Sequence, residues 1–418
     1  MYDAIIVGAR VAGSSTALLL ARKGYRVLLV DRAAFPSDTL STHQLQIPGS
    51  AALKRWGLLD KVLATEPGTA PQARFDIGEI VLTGQYPTVD GINAIHSPRR
   101  YLLDTILAEA AAQAGAEVRQ ECAIQELLWE QDRVVGIRGQ SKSGGSLTEH
   151  ARIIIGADGR HSLVAKAVNA PVYDEQPTLT CGYYSYWEDV PLQTGEIYRR
   201  GKRMIGLWPT NNHQTLIYIA WPAAEFATFR ADVEGSFMAT IDLVPALAER
   251  VRQGRRAERI SGSGEMPNFY RKPYGPGWTL VGDAGYMKDP ITAIGITDAL
   301  RDAELLATAL DDGFAGRQPL ETALARYEQQ RNAASKAYYD FTVDTARMNP
   351  FAVEQLELLS ALRHNTEAAT QFFGMLTGVV SPTDFFTPQN IFRIIGMRGM
   401  TRIMLSKLAR SPKKRINA

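Results

Sequence analysis

The sequence predicts an α/β fold in which a βαβ domain is interrupted by a mostly antiparallel sheet and followed by a helical C-terminal region. Three observations predict it. The chain opens with an apolar strand, a glycine-containing turn, an apolar helix and a second apolar strand. Its middle is rich in aromatic and β-branched residues that alternate with turn signals. From residue 321 on, the patterns are chiefly helical.

The opening unit carries the first binding signal. Residues 4–7 (AIIV) are apolar and β-branched, as in a buried parallel strand, and Gly8 ends them. Residues 14–22 keep an apolar face and predict a helix, and residues 26–30 predict the second strand. Asp31 then stands where an acidic side chain accepts hydrogen bonds from an adenosine ribose. The segment therefore predicts a Rossmann-like, nucleotide-binding unit.

The glycine fingerprint of this unit is incomplete. Gly8 and Gly13 occupy its first and third positions, which make the tight turn and pack the helix onto the strand. Arg10 occupies the second position, where glycine normally lets the backbone approach a pyrophosphate. A Cβ atom at that point limits the approach, so the role of Arg10 needs a separate explanation.

Composition narrows the class of protein. The 418 residues carry a formal net charge of +2 and are 45% hydrophobic, which suits a globular chain and argues against bulk nucleic-acid binding. Cys122 and Cys181 lie far apart in no metal-binding or redox spacing, so no metal site is expected. The N-terminus enters the first strand directly, without the pattern of a signal peptide, and we expect a cytoplasmic location.

The middle of the chain predicts a substrate wall. Residues 180–187, 196–208 and 215–221 are aromatic and β-branched strands, and residues 233–251 predict one helix. Four segments are expected: residues 1–170 as the first part of the nucleotide-binding domain, with 70–98 contributing to the substrate side, 171–268 as the β-sheet substrate domain, 269–335 as the second part of the nucleotide-binding domain, and 336–418 as the helical C-terminal region.

Two later motifs place an acidic residue between glycines after a strand. GADGRHS at residues 156–162 contains Asp158, and VGDAG at residues 281–285 contains Asp283. The second motif turns through Pro290 and begins a helix near Gly295. The N-terminus of a helix offers unpaired N–H groups and a positive field, which suit an anionic group.

With these motifs in this order, the chain resembles the para-hydroxybenzoate hydroxylase-like flavoprotein family. That fold is shared by single-component aromatic hydroxylases, epoxidases, halogenases and geranylgeranyl reductase-like enzymes. The resemblance covers about residues 1–335. It implies an FAD-binding Rossmann-like βαβ domain, FAD as the cofactor, and NADPH or NADH as the reductant.

The resemblance also implies roles for single residues. Arg100, which precedes Leu103-Asp104, would contact the cofactor, Asp283 would hold the ribityl chain, and the Asp158 motif would serve both the FAD pyrophosphate and the nicotinamide nucleotide. The expected cofactor-binding set is Gly8, Arg10, Ala12, Gly13, Asp31, Arg32, Arg100, Asp158, Gly282, Asp283, Pro290, Gly295 and Ile296.

Three charged positions have two interpretations each. Arg10 either caps the pyrophosphate with its guanidinium or is an inert surface cation. His43, in the loop after the second strand, is either the catalytic acid or base beside the flavin or a structural histidine. Lys288, next to Asp289, either lies in a solvated turn or provides a cation that favours the anionic reduced flavin.

The basic C-terminal segment also has two interpretations. Residues 392–415 alternate Arg and Lys with Ile, Met and Leu and contain no acidic residue. This pattern fits an amphipathic helix on an anionic membrane, which would make a peripheral membrane contact. It equally fits a helix packed on the body of the protein with a basic tail.

The predicted function is an FAD-dependent monooxygenase that inserts one oxygen atom, through a flavin C4a-hydroperoxide, into an aromatic or lipophilic small molecule. The chain departs from its relatives, with Ser41-Thr42-His43 in place of a loop arginine and Tyr286 in place of a histidine. The W-x-W-x-I-P element of halogenases and the P-x-x-K-C-G-G element of geranylgeranyl reductases are not evident. The alternatives are a reductase of carbon–carbon double bonds and a flavin-binding protein without redox turnover.

Overall fold

A computed structural model describes residues 1–410, with side chains to Leu405. Its first sheet has eight strands, six of which run in the order Tyr274–Gly275, Trp278–Leu280, Ser146–Gly156, Tyr2–Val7, Val27–Val30 and Glu117–Arg119. Cys122–Glu130 and Arg133–Ser141 form a hairpin that pairs with the outer half of Ser146–Gly156. The four inner strands and Glu117–Arg119 are mutually parallel. This sheet confirms the predicted α/β class.

The second sheet also has eight strands. They run in the order Arg255–Arg256, Thr180–Glu188, Thr215–Pro222, Arg203–Pro209, Gly195–Arg200, Gln72–Asp76 and Val81–Gln85, and Ser261–Ser263 pairs with Thr180–Glu188. One pair, Gly195–Arg200 with Gln72–Asp76, is parallel and the others are antiparallel. Two small sheets complete the strands: Val172–Gln176, Asn268–Arg271 and Tyr286–Met287, and Thr69–Ala70 with Ile95–His96.

Fourteen helices surround these sheets within residues 1–410. They are Val11–Arg22, Ile47–Arg55, Leu59–Leu63, Arg100–Gln113, Leu163–Ala167, Phe226–Ala231, Val233–Asp242, Pro245–Gln253, Gly295–Phe314, Leu320–Ala346, Val353–Leu362, Thr366–Leu376, Pro382–Phe385 and Pro388–Arg410. Helices Val11–Arg22, Arg100–Gln113 and Gly295–Phe314 cover one face of the parallel sheet, where the largest apolar core lies.

The single helix predicted for residues 233–251 is wrong, because two helices occupy that stretch. Val233–Asp242 ends before Val244, and Pro245 begins the second helix. Proline lacks an amide hydrogen and disfavours helical backbone in the preceding residue. Val244 accordingly has φ −127° and ψ 88°, outside the helical region.

The strand Thr180–Glu188 separates its aromatic side chains onto two faces. Tyr183 and Trp187 pack with helix Val233–Asp242 and its neighbours. Tyr184 and Tyr186 pack on the opposite face, in a cluster with Trp208. Sequence alternation predicts two faces but not which of them lies toward the parallel sheet.

The C-terminal helix Pro388–Arg410 packs on the body through the buried Ile395 and Ile403, and it turns at Gly396, whose φ is +62°. It also exposes Met397 and Leu405, so the predicted peripheral membrane contact stays a prediction. The basic residues Lys413, Lys414 and Arg415 lie outside the described residues. No helix within residues 1–410 is long and apolar enough to cross a membrane.

Candidate functional site: a glycine-lined strand edge and an adjoining cavity

The three glycine-containing motifs meet at one edge of the parallel sheet. Val7 is in register with Gly156, and Gly156 is in register with Leu280 on the next strand. Each strand therefore ends at the same level and is followed by its motif. In open parallel sheets this carboxyl edge is where ligands bind.

Glycines allow the motifs to touch. A Cβ atom on Gly8 would lie 2.5 Å from the Ala157 carbonyl oxygen, and one on Gly13 would lie 1.8 Å from the Gly8 carbonyl oxygen. A Cβ atom on Gly282, whose φ is +61°, would lie 2.8 Å from the Cβ atom of Ala12. The first motif is thus packed against both of the others with no room for side chains.

The first helix begins at this edge with its amide groups available. Helix Val11–Arg22 has Arg10 at its N-cap, with no capping side chain and no acidic residue in its first turn. The first four N–H groups of a helix lack partners within the helix. Its N-terminus is therefore equipped for the pyrophosphate of a dinucleotide.

Arg10 and Arg100 share one buried carboxylate. Arg10 Nη1 donates to Asp104 Oδ2 at 2.7 Å, and Arg100 makes two hydrogen bonds to Asp104 at 3.0 Å. Asp104 is fully buried, and Arg10 also donates to Ser37 and to the Asp38 carbonyl oxygen. The interpretation of Arg10 as an inert surface cation is wrong, because the side chain joins the turn to helix Arg100–Gln113. The pyrophosphate cap stays a prediction.

The carboxylates of the first two motifs bind backbone amides. Asp31 accepts from the N–H groups of Ala9 at 2.7 Å and Ala33 at 2.8 Å, which fixes it beside the glycine turn. Asp158 accepts from the Ser162 hydroxyl and the Leu163 amide, so it holds the start of a short helix. The contacts of Asp31 with the ribose and of the Asp158 motif with the pyrophosphate stay predictions. The contact of Arg32, which is exposed, with the cofactor also stays a prediction.

The third motif leaves a carboxylate free. Asp283 makes no hydrogen bond or ion pair within residues 1–410, and its side chain reaches solvent. Desolvation by the surrounding protein atoms raises the pKa of Asp283, while the positive charges of Lys288 and Arg100 oppose that rise. A carboxylate in this setting can accept hydrogen bonds from a ligand's hydroxyl groups.

Beyond Asp283 the chain turns through Pro290–Thr292 and starts helix Gly295–Phe314. The helix has no capping side chain at its N-cap, and a Cβ atom on Gly295 would meet no atom within 4 Å. Ile296 is buried beneath this space. An uncapped helix start that faces open space fits an anionic ring system, which is the shape and charge of a reduced flavin.

The solvated-turn interpretation of Lys288 is wrong. Lys288 is 9% exposed and Asp289 is 1% exposed. Lys288 forms an ion pair with the buried Asp298 and donates to the Tyr286 hydroxyl at 2.5 Å. Lys288 can be buried because Asp298, in the following helix, compensates its charge, and the local sequence does not indicate this pairing.

His43 is completely buried, with a left-handed backbone at φ 59°. Its Nε2 atom hydrogen-bonds the Tyr186 hydroxyl, its ring stacks on Tyr186, and Nδ1 has no partner within residues 1–410. Burial, then the charges of Arg99 and Arg100, lower the pKa of His43 well below its usual value. The imidazole is therefore neutral near pH 7. Its catalytic role stays a prediction.

A cavity of about 450 Å³ adjoins the strand edge. It lies between the second sheet and the C-terminal helices and reaches the Pro290–Thr292 turn. Its walls are mainly aromatic and aliphatic, and those side chains include Phe75, Tyr86, Trp208, Phe351, Phe372 and Phe373. Its size and its walls are typical of a site for an apolar small molecule.

The polar contacts that connect the cavity to the strand edge were not predicted from the sequence. Gln46 donates to the Ala293 carbonyl oxygen at 3.1 Å, and the Trp208 indole N–H donates to the Thr42 carbonyl oxygen at 2.8 Å. Arg199 lines the cavity and was also missed. Alternation along strand Gly195–Arg200 puts Arg199 on the face of Ile197, which is the signal that could have identified it.

The residues present fit FAD. Along one sheet edge lie two uncapped helix starts, a glycine turn without side chains, and the Asp283 carboxylate, which has no partner within residues 1–410. Together they supply amide donors for phosphates, a carboxylate for hydroxyl groups and space for a ring.

Known proteins agree with this arrangement. Residues 1–342 match the family described as FAD binding domain. Rifampicin monooxygenase from Rhodococcus hoagii is 25% identical over 399 residues, which cover 88% of this chain and 78% of that protein. Digeranylgeranylglycerophospholipid reductase from Methanocella arvoryzae is 24% identical over 343 residues, which cover 80% of this chain and 84% of that protein.

Solved structures show the same fold. The flavin-dependent brominase Bmp2 has a TM-score of 0.80 at 16% identity, covering 98% of this chain and all of that one. The myxobacterial chondrochloren halogenase CndH has a TM-score of 0.76 at 20% identity, covering 96% of this chain and 97% of that one. The predicted family is confirmed: this chain belongs to the FAD binding domain family, whose fold is shared by flavin monooxygenases, reductases and halogenases.

Proposed function

We propose that the protein is an FAD-dependent monooxygenase that uses NADPH or NADH and O2 to insert one oxygen atom into an apolar organic substrate. The observation that carries the proposal is the apolar cavity, which ends at the Pro290–Thr292 turn before the uncapped helix Gly295–Phe314. A substrate in the cavity would lie against the open space at the start of this helix, where we propose that the flavin ring binds.

FAD, when bound, supplies the electron transfer from the nicotinamide to O2 and the oxygen-transfer chemistry. The chain's own residues would bind the FAD and shield the substrate from water. The glycine turn and the N-terminus of helix Val11–Arg22 would hold the phosphates, and Asp283 would accept hydrogen bonds from the ribityl hydroxyls. The aromatic walls of the cavity exclude water from the substrate, which protects reactive species from hydrolysis.

The two glutamines that line the cavity beside the turn orient rather than titrate. Gln44 and Gln46 line the cavity beside Ala293, and Gln46 is fixed by the Ala293 carbonyl oxygen. The Oε1 atom of Gln46 is buried without a partner in the described part of the chain, so it can accept a hydrogen bond from a bound molecule. Amide side chains do not titrate, and this arrangement suits oxygen transfer that needs no protein acid or base at the substrate.

A carbon–carbon double-bond reductase is the second candidate, because curated reductases are as similar to this chain as the monooxygenases are. An apolar cavity also suits an isoprenoid chain. The sequence lacks the P-x-x-K-C-G-G element of the geranylgeranyl reductases, and both cysteines are buried. These two features favour the monooxygenase.

Stopped-flow mixing tests the proposal. The FAD-loaded protein is mixed anaerobically with NADPH or NADH and then with O2, while the flavin absorbance is followed. A monooxygenase should show reduction, then a transient spectrum that differs from both oxidised and reduced flavin. Reduction followed by slow, featureless reoxidation would favour the reductase. If neither nucleotide reduces the flavin, with or without an added aromatic acid, the result would favour a flavin-binding protein without turnover.

A further inference from the structure

The cavity contains one buried cation without an anionic partner. Arg199 is 9% exposed, and within residues 1–410 it makes no ion pair. Within the same residues, the one hydrogen bond of its guanidinium runs from Nη2 to the Asn349 carbonyl oxygen at 3.3 Å. Burial lowers the pKa of the guanidinium, and no carboxylate opposes that effect. A buried charge without a partner is unfavourable, so an anion that enters the cavity would be stabilised there.

The neighbouring arginines differ from Arg199 because each of them has a carboxylate partner. Arg200 forms an ion pair with Asp76, Arg203 with Glu225, and Arg250 with Glu196, at 2.8, 2.5 and 2.5 Å. Arg74, on the adjoining strand, also pairs with Asp76. The carboxylates of this sheet are therefore engaged by cations other than Arg199, although Glu196 is only three residues away.

Two other charged residues line the cavity, and within residues 1–410 neither forms an ion pair with Arg199. Glu196 binds Arg250, and Asp344 is exposed. The remaining wall near Arg199 is apolar and includes Ile197, Met204 and Phe351. An anionic group with an apolar body matches this arrangement, because the guanidinium binds a carboxylate in a bidentate manner and the walls bury the rest.

The strand register gives the length of such a molecule. Arg199 pairs with Met204, and Trp208 lies four residues farther along the same strand and face. Four residues of strand span about 13 Å. Trp208 contacts the loop at Thr42, beside the turn where the flavin ring is expected. A molecule bound at Arg199 would thus need about that length to reach the reacting end of the cavity.

We propose that Arg199 binds the carboxylate of the substrate, which is an elongated apolar or aromatic carboxylic acid with its far end directed toward the Pro290–Thr292 turn. This inference rests on the proposed function only where it calls the bound acid the substrate. The binding site itself stands on the unpartnered guanidinium and on the cavity, and it can be tested without turnover.

The test is a calorimetric titration of the oxidised, FAD-loaded protein near neutral pH with 6-phenylhexanoate and with 8-phenyloctanoate, each compared with its primary amide. At least one acid should bind about tenfold more tightly than its amide. Arg199→Gln should weaken binding of that acid about tenfold or more and leave its amide within about twofold. Arg199→Lys, which keeps the charge, should give an intermediate affinity and serves if the glutamine variant does not fold.

The matched control is Arg203→Gln, in the same hairpin but paired with Glu225. It should leave the binding of both acids unchanged. The proposal is overturned if neither acid binds more tightly than its amide, if Arg199→Gln weakens acid and amide equally, or if Arg203→Gln has the same effect. Selective acid binding without O2 consumption would reject the monooxygenase and keep the Arg199 site, whereas turnover without acid selectivity would do the reverse.

Discussion

The strand edge and the cavity hold their positive charges in opposite ways. At the edge, Arg10 and Arg100 both bind the buried carboxylate of Asp104, so an acidic residue of the chain itself holds both guanidinium groups. In the cavity, Arg199 is buried without an acidic partner in the described part of the chain. The difference indicates that the edge is preorganised by the chain itself, whereas the cavity leaves one charge for a ligand to compensate.

Gly13→Ala should have the largest effect, because it removes the close contact on which the edge depends. The new Cβ atom would meet the Gly8 carbonyl oxygen at 1.8 Å, so the strand end and the helix must separate. We expect a loss of more than about 4 kcal/mol in the free energy of unfolding, together with loss of FAD. Urea unfolding and the flavin absorbance after gel filtration measure both.

Gly295→Ala is the control. Gly295 also lies at the start of a helix, but a Cβ atom there would meet nothing within 4 Å. The FAD-free form of this variant should have the same free energy of unfolding as the FAD-free wild type. Equal stability of the two variants would contradict the tight packing of the glycine turn.

Asp104→Asn tests the internal compensation of charge. It leaves Arg10 and Arg100 beside a neutral amide, and removing one member of a buried ion pair costs about 3 kcal/mol of unfolding free energy. Lys336 and Asp340 form a pair with the same helical spacing at the surface, so Asp340→Asn should change stability by less than about 0.5 kcal/mol. Similar losses in both variants, measured by urea unfolding, would remove the distinction between the edge and an ordinary surface pair.

Arg10→Ala separates the two roles of this arginine. Loss of its bonds to Asp104 and to the loop at Ser37 should lower the free energy of unfolding by about 1.5 kcal/mol. If Arg10 also caps the pyrophosphate, the Kd for FAD should rise about tenfold at low salt and by less at high salt, because salt screens the contact that the wild type makes. Arg133→Ala, at an exposed position on the distant hairpin, is the control. Lower stability with unchanged FAD affinity would rule out the cap.

His43 lies between the two regions and should give the smallest effect. Its folded pKa is well below the ordinary value of 6.5, so below about pH 6.5 the unfolded chain binds a proton that the folded chain does not. Stability should therefore fall as the pH falls from 7 to 5. His43→Gln should reduce that fall by about 1 kcal/mol. Identical pH profiles of thermal unfolding for the wild type and this variant would contradict a buried neutral imidazole.

The cofactor motifs could be predicted because they are local. Gly8 and Asp31 follow apolar strands, and the sequence carries the strand, turn and helix pattern at each of the three motifs. The structure brings those motifs to one edge, as parallel pairing of the strands requires. The break at Pro245 is equally local and could have been predicted from the proline alone.

The environment of charged residues could not be predicted in this way. Lys288 and Asp289 are adjacent charged residues before Pro290, which favours a solvated turn, yet Lys288 is buried because Asp298 compensates its charge and the Tyr286 hydroxyl accepts its hydrogen bond. Arg10 gains its partner from a residue 94 positions away. Pairing of this kind depends on which elements pack together, and a local pattern contains no such information.

The sequence by itself thus determined the α/β class, the order of the three glycine motifs and the identity of the cofactor family. Only the tertiary structure decided that Tyr184 and Tyr186 lie on the side of the cavity, that Asp104 is shared by two arginines, and that Arg199 has no acidic partner within residues 1–410. The physical reason is the separation along the chain over which each effect acts. Backbone preferences and periodicity act between near neighbours in the chain, whereas burial and charge compensation are set by residues that only folding brings together.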